Sequence, residues 1–111
     1  MARHTYLALT SAVSGQEAEF DRWYDQQHLA DVARMPGVVS ARRYQLDWQQ
    51  SSAFEAPQWR SLAIYEIEAD DPQATIAAIR AAAGTALMPL SDALTRTGML
   101  QLLAHPVGPA A

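Results

Sequence analysis

Apolar and polar side chains alternate at several places along the chain, which is the pattern of β-strands that bury one face. The alternating or apolar stretches predict strands over residues 5–12, 38–47, 60–68 and 98–104. Between the first two strands, apolar side chains recur at helical spacing instead. A second helix is predicted from the Asp-Asp-Pro start at 70–72 to a stop at Gly84. The pattern therefore predicts the order strand, helix, strand, strand, helix, strand.

This order is that of a ferredoxin-like β-α-β-β-α-β sandwich, an α+β fold with a four-stranded antiparallel sheet and both helices on one face. The strands supply apolar side chains to both faces of the sheet, namely Leu7, Leu9, Tyr65, Ile67, Leu102 and Leu103. A sheet with two partly apolar faces and helices for only one of them needs a second cover. We therefore expect a homodimer, with a ligand pocket between helices and sheet or in the space between two sheets.

The first predicted helix carries an aromatic face and one histidine. At 100° per residue, one arc of this helix holds Phe20, Trp23, Tyr24 and Gln27, with His28 at its margin. After His28 the apolar and polar sides exchange places, which predicts a kink over residues 28–30 and a short second helical piece that ends before Met35. The kink would place His28 near a helix end. At the start of the helix, the Ser-to-Glu spacing over residues 14–17 predicts a capping box.

Composition narrows the class of protein. With 111 residues and a mass of 12.2 kDa, the chain is expected to form a single ferredoxin-like domain over residues 1–111, with its core at about 4–104 and a flexible tail at 105–111. The net charge of -4 gives no basic field for phosphates, so no nucleic-acid partner is expected. No apolar run approaches the roughly 20 residues of a membrane span, and the first residues lack a signal-peptide pattern. We expect a cytoplasmic protein without a membrane partner.

Two absent residue types exclude several kinds of chemistry. The sequence contains no cysteine and no lysine, which excludes thiolate nucleophiles, disulfides, a lysine Schiff base and the P-loop. His4 and His105 are expected to be neighbours because the first and last strands pair in this topology. Two histidines without a third ligand rarely hold a metal ion, so no metal is expected there. The chain also lacks a Gly-x-Gly-x-x-Gly motif, and we expect no cofactor.

Several short motifs together resemble the EthD-like family of the dimeric α+β barrel superfamily. They are Trp23-Tyr24, His28-Leu29, Asp31-Val32, Pro36-Gly37, Ala41-Arg42-Arg43-Tyr44, Leu62-Ala63-Ile64-Tyr65-Glu66 and Asp70-Asp71-Pro72. The resemblance covers roughly residues 6–103 and implies a dimer of ferredoxin-like subunits whose sheets face each other. The family pattern often has proline two residues after the histidine. This chain has Ala30 there, which weakens the kink prediction but leaves His28 aligned.

The resemblance implies three kinds of function. Some relatives act without metal or nucleotide on polyketide or aromatic intermediates, as cyclases, isomerases, dehydratases or decarboxylases; others are oxygenases, and many have no established activity. We therefore favour a small-molecule enzyme that performs cofactor-independent proton transfer, with His28 as general acid or base. The alternatives are a cofactor-free or haem-dependent monooxygenase, and a non-catalytic dimeric ligand-binding protein.

The candidate catalytic residues are His28, Tyr24 and Asp31. Histidine titrates near neutral pH, and partial burial beside aromatic rings favours the neutral form that accepts a proton; at a helix end it could instead only pack and bond a free carbonyl. Asp31 could orient the imidazole, or it could cap the second helical piece or pair with Arg34. A tyrosine hydroxyl in an apolar pocket could stabilise an enolate oxygen, although tyrosines in sheets more often pack.

The candidate substrate-binding residues are Phe20, Trp23, Arg43, Tyr44 and Tyr65, with Phe54 as a further apolar contact. Phe20 and Trp23 would set specificity through apolar area, or would simply be core or dimer-interface residues. Arg42 and Arg43 lie on opposite faces of the second strand, so at most one of them can enter a pocket and hold a ligand carboxylate.

Overall fold

The computed structural model describes residues 2–53 and 59–111 and contains the antiparallel sheet that the sequence predicts. Its strands are β1 (Arg3–Thr10), β2 (Val38–Gln45), β3 (Ser61–Glu68) and β4 (Leu100–Ala104), in the spatial order β2-β3-β1-β4. Each strand is antiparallel to its neighbours. At the centre, Tyr6 of β1 lies opposite both Tyr65 of β3 and Leu103 of β4. The predicted ferredoxin-like α+β order is confirmed.

The helices are α1 (Glu17–Trp23), a π-helical segment (Tyr24–His28), α2 (Leu29–Ala33) and α3 (Pro72–Ala82). Helix α3 begins as predicted. The Asp71 carboxylate accepts a hydrogen bond from the Ala74 N–H at 3.2 Å, and Pro72 occupies the first helical turn, where its missing N–H leaves no donor unpaired.

Helix α1 starts without a side-chain cap, so the predicted capping box at 14–17 is wrong. The residue before the helix is Gln16, and the Glu17 carboxylate accepts a hydrogen bond from the Gly15 N–H at 2.9 Å. Gly15 has a φ of 86°, a left-handed conformation that favours glycine. In this turn Glu17 is therefore paired with Gly15. Gln16, at the capping position, makes no side-chain capping hydrogen bond.

The change of helical phase that predicted a kink at residues 28–30 comes from the π-helical segment that ends at His28. Trp23, His28 and Leu29 all keep right-handed helical backbone angles, so α1, the π segment and α2 form one continuous helical run. A π turn holds more residues than an α turn, and this shifts the phase of the side chains that follow. The apolar face resumes at Val32, which is buried. His28 therefore lies inside a helical run. The prediction that it lies near a helix end is wrong.

The helices cover one face of the sheet, and the core lies between them. Even-numbered side chains of β1 and odd-numbered side chains of β3 face the helices and are mostly buried, whereas the alternate side chains are half-buried. The uncovered face is lined by Leu7, Leu9, Leu62, Ile64, Leu100 and Leu102. Both faces are thus partly apolar, as the sequence predicts.

Two long connections differ from each other. Residues 54–58 of the connection between β2 and β3 lie outside the described residues, and with them the predicted apolar contact Phe54. The connection between α3 and β4 packs into the core, because Met88, Ala93 and Leu94 are buried in it. In the part of the chain that the structure describes, no helix is long and apolar enough to cross a membrane.

Candidate active site

A cavity of about 120 Å³ lies between the aromatic helical run and the sheet, and four of the predicted site residues line it. These four are Trp23, Tyr24, His28 and Tyr65. The remaining wall is largely apolar and is formed by Ala8, Val32, Ile79, Ala83, Met88, Leu90, Leu94 and Met99. Tyr6, Thr10, Arg80 and Gln101 add further polar groups. The cavity therefore combines a mainly apolar lining with a small number of polar atoms, which is typical of small-molecule sites.

His28 lies against two aromatic rings at this cavity. Its imidazole stacks on the Trp23 indole with 4.5 Å between ring centroids, and the Tyr24 ring meets it edge-on at 5.0 Å. Trp23 and His28 are five residues apart, a spacing that an α-helix would place on different sides. The π-helical segment between them, with its i→i+5 periodicity, brings both rings to one side.

The environment keeps the His28 imidazole neutral at pH 7. Burial lowers its pKa from 6.5 to about 4, while the charge of nearby Asp31 acts in the opposite direction. Its Nδ1 atom is buried and has no hydrogen-bond partner within residues 2–53 and 59–111. Unpaired buried polar atoms are uncommon, and the His28 Nδ1 is therefore available for a hydrogen bond to a ligand.

Tyr6 and Tyr65 of the sheet and Tyr24 of the π-helical segment meet at the cavity. The hydroxyl oxygens of Tyr24 and Tyr65 are 3.5 Å apart, and the rings of Tyr6 and Tyr65 stack with 5.7 Å between centroids. Burial raises the pKa of all three phenols. These hydroxyls therefore stay protonated at neutral pH and can donate hydrogen bonds to a ligand oxygen.

Trp23 is fixed at the cavity by a polar contact as well as by packing. Its indole Nε1–H donates a hydrogen bond to the carbonyl of Pro89 at 3.1 Å. This contact ties the helical run to the connection between α3 and β4. Phe20 is fully buried behind Trp23 and Tyr24, with ring centroids 6.1 and 5.5 Å from theirs, and does not line the cavity. Phe20 therefore supports the cavity wall, and its predicted contact with substrate stays a prediction.

Asp31 does not orient the imidazole through a hydrogen bond. The side chain is buried and forms an ion pair with Arg34 through Oδ1, while Oδ2 has no hydrogen-bond partner within the described residues. The residue also does not line the cavity. Of the three predicted interpretations, the structure shows the ion pair with Arg34, and Asp31 acts on His28 only through its charge.

Arg43 faces the helices but does not line the cavity, and its predicted contact with substrate stays a prediction. Its guanidinium donates to the Asp25 carboxylate at 2.7 Å and to the Ser61 hydroxyl at 3.2 Å, and lies 3.2 Å from Asp21. It also lies 5.4 Å from the centroid of the Tyr24 ring. These contacts engage the guanidinium fully and fix the π-helical segment to β2 and β3.

Tyr44 lies on the uncovered face of the sheet, away from the cavity. Strand alternation places it there, since it pairs with Leu62 on the side opposite the helices. Its ring is 42% exposed and lies 5.7 Å from the Arg42 guanidinium. Tyr44 therefore does not line this cavity, and its predicted role in substrate binding stays a prediction.

Arg80 and Gln101 are two of the polar cavity residues that escaped the sequence predictions. Arg80 follows Ile76 by four residues in α3, which places both on one side of the helix. Gln101 alternates with Leu103 in β4 and so faces the helices. These spacings are the signals that could locate them, but neither spacing indicates where α3 lies relative to β4.

The predicted neighbours His4 and His105 do meet, with 5.5 Å between their ring centroids. No group of three or more His, Asp or Glu side chains that could hold a metal ion occurs within residues 2–53 and 59–111. The histidine pair is thus a contact between β1 and the residue that follows β4.

Comparison with known proteins supports the fold. No family model and no curated protein sequence matches the chain. A "putative monooxygenase" from Shewanella loihica PV-4 is 15% identical, with a TM-score of 0.58 over 97% of this chain and 97% of that one. An ethyl tert-butyl ether d (EthD) family protein from Bacillus halodurans C-125 is 14% identical, with a TM-score of 0.58 over 95% of this chain and 99% of that one. The chain therefore has an EthD-like, ferredoxin-type α+β fold.

Proposed function

We propose that the protein is a small-molecule enzyme of the EthD-like type that performs cofactor-independent proton transfer on an aromatic or polyketide-like intermediate. His28 is the general acid or base in this proposal. The observation that carries it is the position of the imidazole, which lines a small aromatic cavity with its Nδ1 buried and without a hydrogen-bond partner among the described residues. The resemblance of the Trp23 to Val32 motifs to EthD-like proteins also supports it.

The chemistry follows from charge. A neutral imidazole can take a proton from a carbon next to a substrate carbonyl, and the negative charge then moves to the carbonyl oxygen. The protonated hydroxyls of Tyr24 and Tyr65 can donate a hydrogen bond to that oxygen. An imidazole with a pKa of about 4 is a weak base, but developing negative charge beside it raises its pKa again. Proton transfer and stabilisation of the oxyanion therefore support each other.

The proposal includes a homodimer formed through the uncovered face of the sheet. Leu100 and Leu102 are 39% and 47% exposed there, beside the half-buried Leu7 and Leu9 of the neighbouring strand. A continuous apolar patch of this kind marks an association surface. Replacement Leu102→Glu should convert the dimer to a monomer in sedimentation analysis, whereas Leu87→Glu, at an exposed position outside the sheet, should leave the mass unchanged. A wild-type chain that sediments as a monomer contradicts the dimer.

The catalytic proposal can be tested with benzoylacetone, an aromatic 1,3-diketone that serves as a simple polyketide-like probe. Deuterium incorporation at the carbon between its carbonyls is measured by NMR with and without protein. His28→Gln should reduce the catalysed exchange roughly 100- to 10,000-fold. His105→Gln is the matched control, because it changes an exposed histidine outside the cavity and should leave the exchange unchanged.

Other results of the exchange experiment would favour the alternative functions. Unchanged exchange in His28→Gln removes this residue from the mechanism. Oxygen uptake with the diketone in place of exchange favours the cofactor-free oxygenase, and a Soret band from the purified protein favours the haem-dependent one. Binding of the probe without exchange or oxygen uptake favours the non-catalytic ligand-binding protein.

A further inference from the structure

A groove of about 680 Å³ between α3 and β4 adjoins the cavity at His28. The two spaces share Tyr6, Arg80 and Gln101 in their walls. The cavity alone, at about 120 Å³, is smaller than the roughly 300–1,000 Å³ of most small-molecule sites, so a ligand of ordinary size that enters it extends into the groove. Its outer part then passes between these three side chains.

Arg80 differs from the other arginines of the chain. Within residues 2–53 and 59–111, five arginines form ion pairs, namely Arg3, Arg22, Arg34, Arg43 and Arg60. Arg42 lies over the ring of Tyr44 on the uncovered face. Neither Arg80 nor Arg96 has an ion pair or a side-chain hydrogen bond in the part of the chain that the structure describes, and Arg80 alone of the two lines the cavity and the groove.

Other donors accompany the guanidinium. Gln101, which is exposed, and Tyr6 both line the boundary between groove and cavity. The charge of Arg80 acts on the Tyr6 phenol, where it opposes the rise in pKa that burial causes. The Arg80 guanidinium, the Gln101 amide and the Tyr6 phenol therefore lie together where the groove meets a largely apolar cavity.

We propose that Arg80, assisted by Gln101, binds the carboxylate of an aromatic acid whose ring enters the cavity at His28. A guanidinium presents two parallel N–H donors, which match the two oxygens of a carboxylate. The ring is then surrounded by Trp23, Tyr24 and Tyr65, and the charge stays at the solvent side of the cavity. The proposal rests on the proposed function only in taking this cavity as the ligand site, and it names the chemical class of the ligand.

Benzoate and benzamide test this, because they have the same shape and differ in charge. Their binding is followed by NMR at the indole N–H of Trp23, with the indoles of Trp48 and Trp59, which do not line the cavity, as internal references. Wild-type protein should bind benzoate about tenfold more tightly than benzamide, the ratio expected from a charge-assisted contact. In Arg80→Gln the affinities for benzoate and benzamide should come within about twofold of each other. Arg80→Lys should keep part of the preference for benzoate, because it retains the positive charge but lacks the paired N–H donors of the guanidinium.

Arg96→Gln is the matched control, because it removes the same charge from an exposed position outside both spaces. It should retain the full preference for benzoate. Equal affinity of wild-type protein for both probes, or an undiminished preference in Arg80→Gln, overturns the assignment of Arg80 and leaves the cavity as a ligand site. If neither probe shifts the Trp23 indole, both the carboxylate assignment and the ligand site at this cavity are overturned. Because His28→Gln should keep the preference for benzoate while it loses proton exchange, failure of the catalytic proposal is distinguishable from failure of this one.

Discussion

The two helical regions that cover the sheet occupy equivalent places in the topology but are built differently. The run from α1 through the π-helical segment to α2 is irregular, has no side-chain cap at its start and carries the aromatic residues and His28. Helix α3 is regular, is capped by Asp71 and is rich in alanine. Irregular helical geometry is thus found where the aromatic rings are brought together, and regular geometry in the helix that carries Arg80.

The difference also concerns charge. Arg43, Asp21 and Asp25 form an ion-pair network that fixes the irregular run to the sheet. Helix α3 has one arginine, Arg80, which has no ion-pair partner among the described residues and lines the ligand cavity. Charges beside the first region therefore support structure, whereas the charge on α3 is available to a ligand.

The largest expected effect on stability is in the aromatic packing of the first region. Phe20→Ala should lower the free energy of unfolding by about 3–5 kcal/mol, because it removes a fully buried ring between Trp23 and Tyr24. Ile79→Ala in α3 should cost less, since it removes a smaller side chain beside an existing cavity. Chemical denaturation measures both, with the exposed Leu87→Ala as control. A greater loss in Ile79→Ala would reverse the comparison.

The next effect depends on pH. The pKa of His28 is about 4 in the folded chain and 6.5 when unperturbed, so the unfolded chain takes up the proton first. Stability should therefore be lost as pH falls from about 6.5 to about 4, by roughly 3 kcal/mol at most. His28→Gln removes this contribution, and its unfolding free energy should fall less over the same range. If the unfolding free energies of wild-type protein and His28→Gln, measured at the same protein concentration, fall in parallel over this pH range, the result would argue against a buried imidazole.

A smaller effect is expected from the ion-pair network. Arg43→Gln should lower the free energy of unfolding by about 1–3 kcal/mol, because the guanidinium is only 13% exposed and its removal leaves polar partners unpaired. Arg80→Gln should change stability by about 0.5 kcal/mol or less, as expected for an exposed side chain with no partner. Equal losses in the two variants would show that the arginines do not differ in role.

A further small effect is expected at the helix starts. Asp71→Ala removes the cap of α3 and should cost about 1 kcal/mol. Gln16→Ser introduces a capping side chain at the start of α1, where none is present, and should stabilise the protein by a comparable or smaller amount. Thermal unfolding of both variants measures this. A destabilised Gln16→Ser would mean that the existing turn at Gly15 already satisfies the helix start.

The sequence predicts the fold well because period-two and helical patterns are local signals. Each of the four strands and the start of α3 could be predicted in this way, and the strand order followed from topology. The π-helical segment could be predicted only as a loss of phase, since the pattern does not say how the backbone accommodates it.

The cavity could be predicted only in part. The alternation of β2 correctly separated Arg42 from Arg43, but it could not show that Asp21 and Asp25 engage the Arg43 guanidinium. Arg80 and Gln101 come together through the packing of α3 near β4, which involves residues distant in sequence. Local patterns therefore locate the aromatic wall, whereas the polar opening depends on tertiary contacts.

The most direct test is the titration of the His28 ring itself. Two-dimensional NMR of the imidazole, assigned by comparison with His28→Gln, follows its protonation from pH 3 to pH 8. A neutral ring buried beside Trp23 and Tyr24 should titrate at about 4. A midpoint near the ordinary value of 6.5 would place the ring in water and contradict its role as the base of an enclosed site.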